Sequence, residues 1–467
     1  RMLARTKRVQ QEKICLGVLM LTVVAAFILG ILYILKNPYF PEGDQIGVAA
    51  FAAYAREGNY VMLGPGGYVG MYQQQKGLAI LYEILFTLFG DFNYRPAKIL
   101  HVVWWILTIL AGYGFLKLNT DRPVFRMLYC VMMLGCFPLL FYLPYIYGDV
   151  LSISFGIILF YGVAAYEHSG QKRYIALASF AAGLAVLARK NTWIVLVAVA
   201  VYVLLVSLRK KKVRYLMAGT AILLTAALSV KAVDVIYEVR SGYPSGVGIP
   251  SILWVAMGLQ ETEGRAGVYN RYQQATFTDY DCQQELAAQQ GKEYIRERLE
   301  EFSQDPGMAF NFFKNKVEGQ WIEPMYAALE STESFEEGAE LSPVLESLYY
   351  GELGRTIWKL TNYYQSILYL AGLMALVMLG ILWWKKKEVP ISLWLPWIAV
   401  FGGFLFSILW EAKSRYVFPY CVFMILYAPE GLYQTGLLLC KLPKLRKFKK
   451  SGHTQDKGEE ASLRETA

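Results

Sequence analysis

The chain has 467 residues, of which 55% are hydrophobic and 18% are charged, and its mean hydropathy is +0.32. This apolarity is typical of a polytopic membrane protein and excludes an ordinary soluble enzyme. The net charge of +9 falls in short clusters beside apolar segments, which the positive-inside rule explains without a nucleic-acid partner.

The first apolar segment, 14–35, follows a basic cluster and predicts a retained membrane span, because it is long enough to cross and no small-residue cleavage motif follows it. Later apolar stretches predict nine further spans, at 97–117, 124–146, 149–167, 174–189, 191–208, 213–234, 362–384, 389–410 and 416–436.

The segment 77–89 decides the predicted topology. Its roughly 13 residues would reach only about 20 Å as a helix, which is short of the hydrocarbon core. If it crossed, every basic cluster after the first would move to the outer side. The positive-inside rule therefore favours ten spans in the plasma membrane, with both termini cytoplasmic and 77–89 along the outer interface.

The predicted fold class is an all-α polytopic membrane protein with about ten transmembrane helices, interfacial helices in the first outer loop and one larger extracytoplasmic domain. Its predicted parts are an N-terminal membrane module at 1–234 that includes the outer loop 36–96, the extracytoplasmic domain at 235–361, C-terminal membrane helices at 362–440 and a basic cytoplasmic tail at 441–467.

Two helices are predicted within the extracytoplasmic domain, at 283–303 and 306–321. The second has apolar residues at helical spacing, and we expect them to form its packing face. These residues are Phe310, Phe313, Val317 and Trp321.

Ionisable residues are almost absent from the span centres, where each charge would cost about 3 kcal/mol. They lie instead near the outer ends of spans, at His101, Asp149, Arg189, Lys190, Lys231, Asp234, Glu411, Lys413 and Arg415. An ion-coupled carrier would need carboxylates or broken helices near the midplane, related between two halves. The pattern favours chemistry on a lipid-borne substrate at the outer surface.

Asp44, just beyond the first span, is the candidate catalytic residue. Sugar transfer from a lipid phosphate needs a carboxylate as general base, cations for the departing phosphate and aromatic surface for the sugar. The predicted phosphate-binding cations are Lys76, Arg189, Lys190 and Arg415, and further site candidates are Asp149, Tyr147, Tyr72 and Tyr416. No metal ligands are assigned, because the three histidines lack metal-ligand spacing.

Each of these residues also has a purely structural alternative. Asp44 could cap the helix that follows it, and Asp149 could cap the fourth span. Lys76 could begin the interfacial helix, and the later cations could anchor span ends by reaching to lipid head groups. Glu411 is expected to pair with Lys413 or Arg415.

Several motifs, in chain order, resemble the GT-C superfamily of polyprenyl-phosphate-sugar-dependent glycosyltransferases, in its protein O-mannosyltransferase-like and aminoarabinose-transferase-like branch. The acidic pair after the first span of the family resembles Asp44-Gln45, and a turn with lysine before an interfacial helix resembles Tyr72 to Gly90. Further similar motifs are Tyr147-Gly148-Asp149, Gly183 to Asn191, and Arg415-Tyr416 with Pro419.

The resemblance implies a GT-C-type helical bundle and an inverting transferase that moves a sugar from an undecaprenyl- or dolichyl-phosphate carrier to an unknown extracytoplasmic glycan, lipid or protein. Gln45 replaces the second acid of the family, and no DxD pair is present, so the resemblance implies a metal-independent enzyme without a cofactor. A site shared by Asp44 and Asp149 stays open. The alternative is a non-enzymatic lipid or sugar-lipid transporter, or an assembly protein of envelope polymer export.

Overall fold

The protein is an all-α polytopic membrane protein. The computed structural model describes residues 2–385 and 389–441, so the predicted tail lies outside the described residues from 442 onward. Within the described part, seven helices are long and apolar enough to span a membrane. They are Val9–Lys36, Arg95–Asn119, Asp149–Ser169, Lys190–Lys210, Arg214–Ser241, Glu352–Trp384 and Ile391–Leu409.

The N-terminal half contains eleven α-helices, to which we give chain-order labels. These are α1 (Met2–Lys36), α2 (Asp44–Arg56), α3 (Tyr68–Met71), α4 (Lys76–Phe89), α5 (Arg95–Asn119), α6 (Pro123–Gly135), α7 (Phe137–Phe141), α8 (Asp149–Ser169), α9 (Lys172–Ala188), α10 (Trp193–Lys210) and α11 (Arg214–Ser241).

The rest of the described chain forms α12 (Ile252–Gly258), a two-stranded antiparallel hairpin of β1 (Glu261–Thr262) and β2 (Arg265–Ala266), α13 (Tyr272–Asp279), α14 (Gln284–Gln304), α15 (Pro306–Trp321), α16 (Pro343–Tyr350), α17 (Glu352–Trp384), α18 (Leu395–Leu409), α19 (Ser414–Met424) and α20 (Ala428–Lys441).

Two predicted spans are each divided into shorter helices. The stretch 124–146 forms α6 and α7, which separate at Cys136, and a buried non-helical turn then leads to α8. The stretch 416–436 forms α19 and α20. The segment predicted to be interfacial forms the 14-residue helix α4, about 21 Å long. The ten-span arrangement stays a prediction.

Helix α8 lies at the centre of the membrane module, between α5 and α9, and its candidate span is 89% buried. Glycines allow this close packing. On α8, a methyl group at Gly162 would lie 3.1 Å from the Tyr174 carbonyl oxygen of α9. Because α8 is central, its first residue, Asp149, lies among the ends of surrounding helices.

The predicted helices at 283–303 and 306–321 are observed as α14 and α15. The predicted limits 235 and 361 of the extracytoplasmic domain fall inside α11 and α17, and the segment between these two long helices is 242–351.

The predicted packing face of α15 is wrong at Phe310, which is 69% exposed. Phe313, Val317 and Trp321 are half-buried, and Phe313 and Trp321 pack on hydrophobic clusters. The fully buried residues are Phe312, Lys316 and Gln320 at four-residue spacing. The amine of Lys316 donates to the Gly258 carbonyl, and Gln320 donates to the Ser407 carbonyl at 3.0 Å. Polar contacts to α12 and α18 thus orient α15. The pattern of apolar residues in the sequence does not reveal these contacts.

Candidate active site at converging helix ends

Two tyrosines hold the Asp44 carboxylate at the start of α2. Tyr68 donates to Oδ1 at 3.0 Å, and Tyr147 donates to Oδ2 at 3.1 Å. The cap position of α2 is Gly43, at φ 55°, so Asp44 does not cap this helix. Its side chain is exposed and open to an acceptor.

The hydroxyl of Tyr147 connects Asp44 to the turn before α4. It donates to Asp44 and accepts a hydrogen bond from the Gln75 side-chain amide. Burial, together with Tyr68 and Asp44, raises the pKa of Tyr147 well above its usual range. Tyr147 therefore stays a neutral hydrogen-bond donor to Asp44.

Gln45 fixes the helix that carries Asp44. Its buried side-chain amide donates to the Tyr39 hydroxyl at 2.5 Å, while its carbonyl oxygen accepts from the Ile146 backbone N–H at 3.0 Å. An ionised carboxylate cannot donate a hydrogen bond, so an amide suits this position better than an acid. Gln45 therefore acts as a strut between α2 and the 145–147 turn.

Lys76 is buried at the start of α4 and already has an acidic partner. Its Nζ lies 2.6 Å from the Asp234 carboxylate and donates to the Ser245 hydroxyl at 2.7 Å and to Gln73 at 3.2 Å. The structure therefore places this predicted phosphate-binding cation in a link between α4, α11 and the loop that follows α11.

Two glycines bring Arg189 next to the starts of α4 and α8. A methyl group on Gly77 would lie 2.5 Å from the Leu187 carbonyl oxygen, and one on Gly148 would collide with the Ala188 carbonyl. Gly148 also has a φ of 82°, which favours glycine. The end of α9 consequently reaches the starts of both α4 and α8.

Arg189 pairs with Asp149, its Nη1 lying 3.3 Å from Oδ2. Its guanidinium carbon lies 5.2 Å from the centre of the Tyr147 ring and 5.6 Å from that of Tyr416. Lys190, in contrast, is exposed and lies in the turn before α10.

Arg415 lies on the other side of the same rings. Its guanidinium carbon is 5.3 Å from the Tyr147 ring centre and 5.6 Å from that of Tyr416, and its Nη1 donates to the Tyr145 hydroxyl. The residue is only 5% exposed, and its Nε has no hydrogen-bond partner. Within the described chain no carboxylate pairs with it, so this buried cation lacks a counter-ion.

Glu411 lies in the turn between α18 and α19, and the predicted pairing with Lys413 or Arg415 is wrong. Among the ion pairs of the described chain none involves this carboxylate, which accepts instead from the Tyr416 hydroxyl at 3.3 Å. Burial raises the pKa of Glu411 to about 7, and Lys413 opposes that rise. The backbone of the turn is short, and its packing aims the side chain at α19.

A series of aromatic rings extends from Asp44 toward α12. The rings of Tyr68 and Tyr72 lie 5.2 Å apart, and that of Tyr72 meets Trp254 edge-on at 6.2 Å. Trp254 then stacks on Trp410 at 5.9 Å. Tyr72 is therefore a neighbour of the residue that binds Asp44, and it does not contact Asp44 itself by any observed hydrogen bond.

The structure brings six predicted residues into one cluster: Asp44, Tyr147, Asp149, Arg189, Arg415 and Tyr416. It ties Lys76 to Asp234 and leaves Lys190 exposed. Sequence reasoning missed Gln75 and the strut role of Gln45. Nothing in the sequence separates these glutamines from ordinary surface amides.

Across residues 2–385 and 389–441, no group of three or more His, Cys, Asp or Glu side chains could hold a metal ion. Asp149 forms an ion pair with Arg189, and Asp44 accepts hydrogen bonds from two tyrosine hydroxyls. The arrangement therefore offers cations and neutral donors to an anion.

Compared with models of protein families and with curated proteins, the chain matches none.

Proposed function

We propose that the protein is an integral-membrane, inverting glycosyltransferase of GT-C type, with a bundle of about ten spans and its site on the outer face of the plasma membrane. It would move a sugar from a polyprenyl-phosphate carrier to an extracytoplasmic acceptor. The observation that carries the proposal is the buried guanidinium of Arg415, which has no ion pair among the described residues and lies against Tyr147, the residue that donates to the exposed Asp44 carboxylate.

An uncompensated buried cation favours an anionic ligand, and a guanidinium suits the paired oxygens of a phosphate. Arg189 lies against the same two tyrosine rings and adds positive charge, although Asp149 balances part of it. Arg415 and Arg189 are thus the proposed phosphate cations. Lys76 is left out because Asp234 already neutralises it.

Asp44 would act as the general base. The acceptor hydroxyl gives its proton to Asp44, its oxygen bonds to the anomeric carbon, and the carbon–oxygen bond to phosphate breaks with its electron pair on the phosphate oxygen. A single displacement of this kind inverts the anomeric centre. The hydroxyls of Tyr68 and Tyr147 hold the carboxylate ready for an incoming acceptor.

The test is Asp44→Asn in purified protein reconstituted with lipid-phosphate-linked sugars. Loss of a general base is expected to reduce kcat by about 10²- to 10⁴-fold while folding is retained. Glu57→Gln, at the exposed opposite end of α2, is the matched control and should keep full activity.

Undiminished transfer by the Asp44→Asn protein would refute the assignment of the base. The rival function, movement of a lipid or sugar-lipid without chemistry, predicts no transfer by wild-type protein with any donor. It also predicts transport in sealed vesicles that tolerates Asp44→Asn.

A further inference from the structure

We propose that Glu411 is a second catalytic carboxyl group, which gives a proton to the departing phosphate. This inference rests on the proposed function and adds to it an acid for the leaving group. It starts from the position of Glu411, which accepts a hydrogen bond from Tyr416, the residue whose ring lies against both guanidiniums proposed to bind the phosphate.

Tyr416 supplies the connection. Its ring centre is 5.6 Å from the guanidinium carbon of Arg189 and also 5.6 Å from that of Arg415, and its hydroxyl donates to Glu411 at 3.3 Å. The carboxyl group of Glu411 therefore contacts the residue whose ring lies against both proposed phosphate cations.

The surroundings of Glu411 favour its protonated form. The residue is 6% exposed, and its carboxyl group has one neutral hydrogen-bond partner and no ion pair among the described residues. A buried carboxylate without a paired cation is costly, so protonation relieves the cost. The hydroxyl of Tyr416 occupies one oxygen, and the other oxygen can carry the proton.

The charged neighbours act in opposite directions. Burial has the largest effect and raises the pKa of Glu411, and Asp44 also raises it. Lys413, the hydrogen bond from Tyr416 and Arg189 lower it. Lys316 faces Glu411 from α15, and burial lowers the pKa of Lys316 to about 7. The result is a pKa of about 7, which suits a group that must both hold and release a proton.

The two carboxyl groups then have opposite roles because their environments differ. Asp44 is exposed and accepts two hydroxyl donors, whereas Glu411 is buried with one. In the proposed step Asp44 takes the acceptor proton, and the oxygen that leaves the sugar takes the Glu411 proton. Glu411 ends ionised and Asp44 protonated, and exchange with water restores both.

The first test is the pH dependence of transfer by wild type and Glu411→Gln. Because the acid must be protonated, wild-type kcat should fall as pH rises through about 7. Glu411→Gln should lose about 10²-fold in kcat and lose this alkaline limb. Glu411→Asp should recover part of the rate, and Glu352→Gln, an exposed carboxylate at the start of α17, should behave as wild type.

A Glu411→Gln protein with wild-type kcat and an unchanged alkaline limb would overturn the proposal. A second measurement does not depend on transfer: the infrared band of a protonated carboxyl should be present at pH 6, disappear as pH rises through about 7, and be absent in Glu411→Gln. Absence of the band from wild type at pH 6 would overturn the proton-holding role even if transfer occurs. A wild-type protein with the band but no transferase activity would instead refute the proposed function and, with it, the role in transfer.

Discussion

Side chains around the start of α2 contact one another mainly through neutral hydrogen bonds. Tyr68 and Tyr147 donate to Asp44, Gln75 donates to Tyr147, and Gln45 accepts from the Ile146 backbone N–H. The Tyr147 ring also lies against the guanidiniums of Arg189 and Arg415, so this residue stands between the carboxylate and the two cations.

Gln45→Leu should lower the free energy of unfolding by about 1–3 kcal/mol, because it leaves the buried Ile146 N–H without an acceptor. The same change frees the start of α2 and should reduce kcat. Thermal unfolding in detergent and the transfer assay measure the two effects. Gln74→Leu, at an exposed position, is the control; equal stability of the two variants would contradict the strut role.

The sequence predicts that ionisable residues lie near span ends, and the structure brings Asp44, Arg189 and Arg415 together around Tyr147. It does not predict which charges neutralise each other. Lys76 and Asp234 are far apart in the chain, so their contact depends on how α4 meets α11. Glu411 shows the converse, since closeness in the chain to Lys413 suggested a pair that the turn does not form.

At the scale of elements, helix ends converge because glycines remove side chains at the contacts. Glu83 adds a polar link on α4: it accepts from Tyr237 at 2.5 Å and pairs with Arg240 at 2.8 Å, which ties α4 to α11. The break between α6 and α7 also belongs to this scale. Pro138 has no backbone N–H to donate to the preceding turn, so it favours the first turn of a new helix. The continuous apolarity of 124–146 hid this signal in the sequence.

Gly77→Ala should lower the free energy of unfolding by about 1–3 kcal/mol, because the new methyl group forces α4 away from the end of α9. Transfer should fall as well, since Arg189 follows that end. Gly17→Ala on α1 meets open space and should be neutral or slightly stabilising. If the two variants unfold at the same temperature in detergent, the close contact does not constrain the site.

At the scale of the whole molecule, the proposed ten-span topology puts the site and the 242–351 segment on one side of the membrane. Single cysteines in a cysteine-free background test it with an impermeant thiol reagent. Asp91→Cys should react from outside, and Lys212→Cys only from the cytoplasm; both positions are exposed. Labelling of position 91 from the cytoplasm alone would refute the ten-span arrangement.

Tyr147 has a consequence for the order of events. Its hydroxyl holds Asp44, while its ring lies within 5.3 Å of the guanidinium carbons of both Arg189 and Arg415. A donor phosphate that attracts the two guanidiniums would therefore also shift Tyr147, which orients the proposed base Asp44. We expect an ordered kinetic scheme in which the lipid donor enters first, with little idle deprotonation of acceptors in its absence. Steady-state inhibition patterns with the spent lipid phosphate would reveal that sequence.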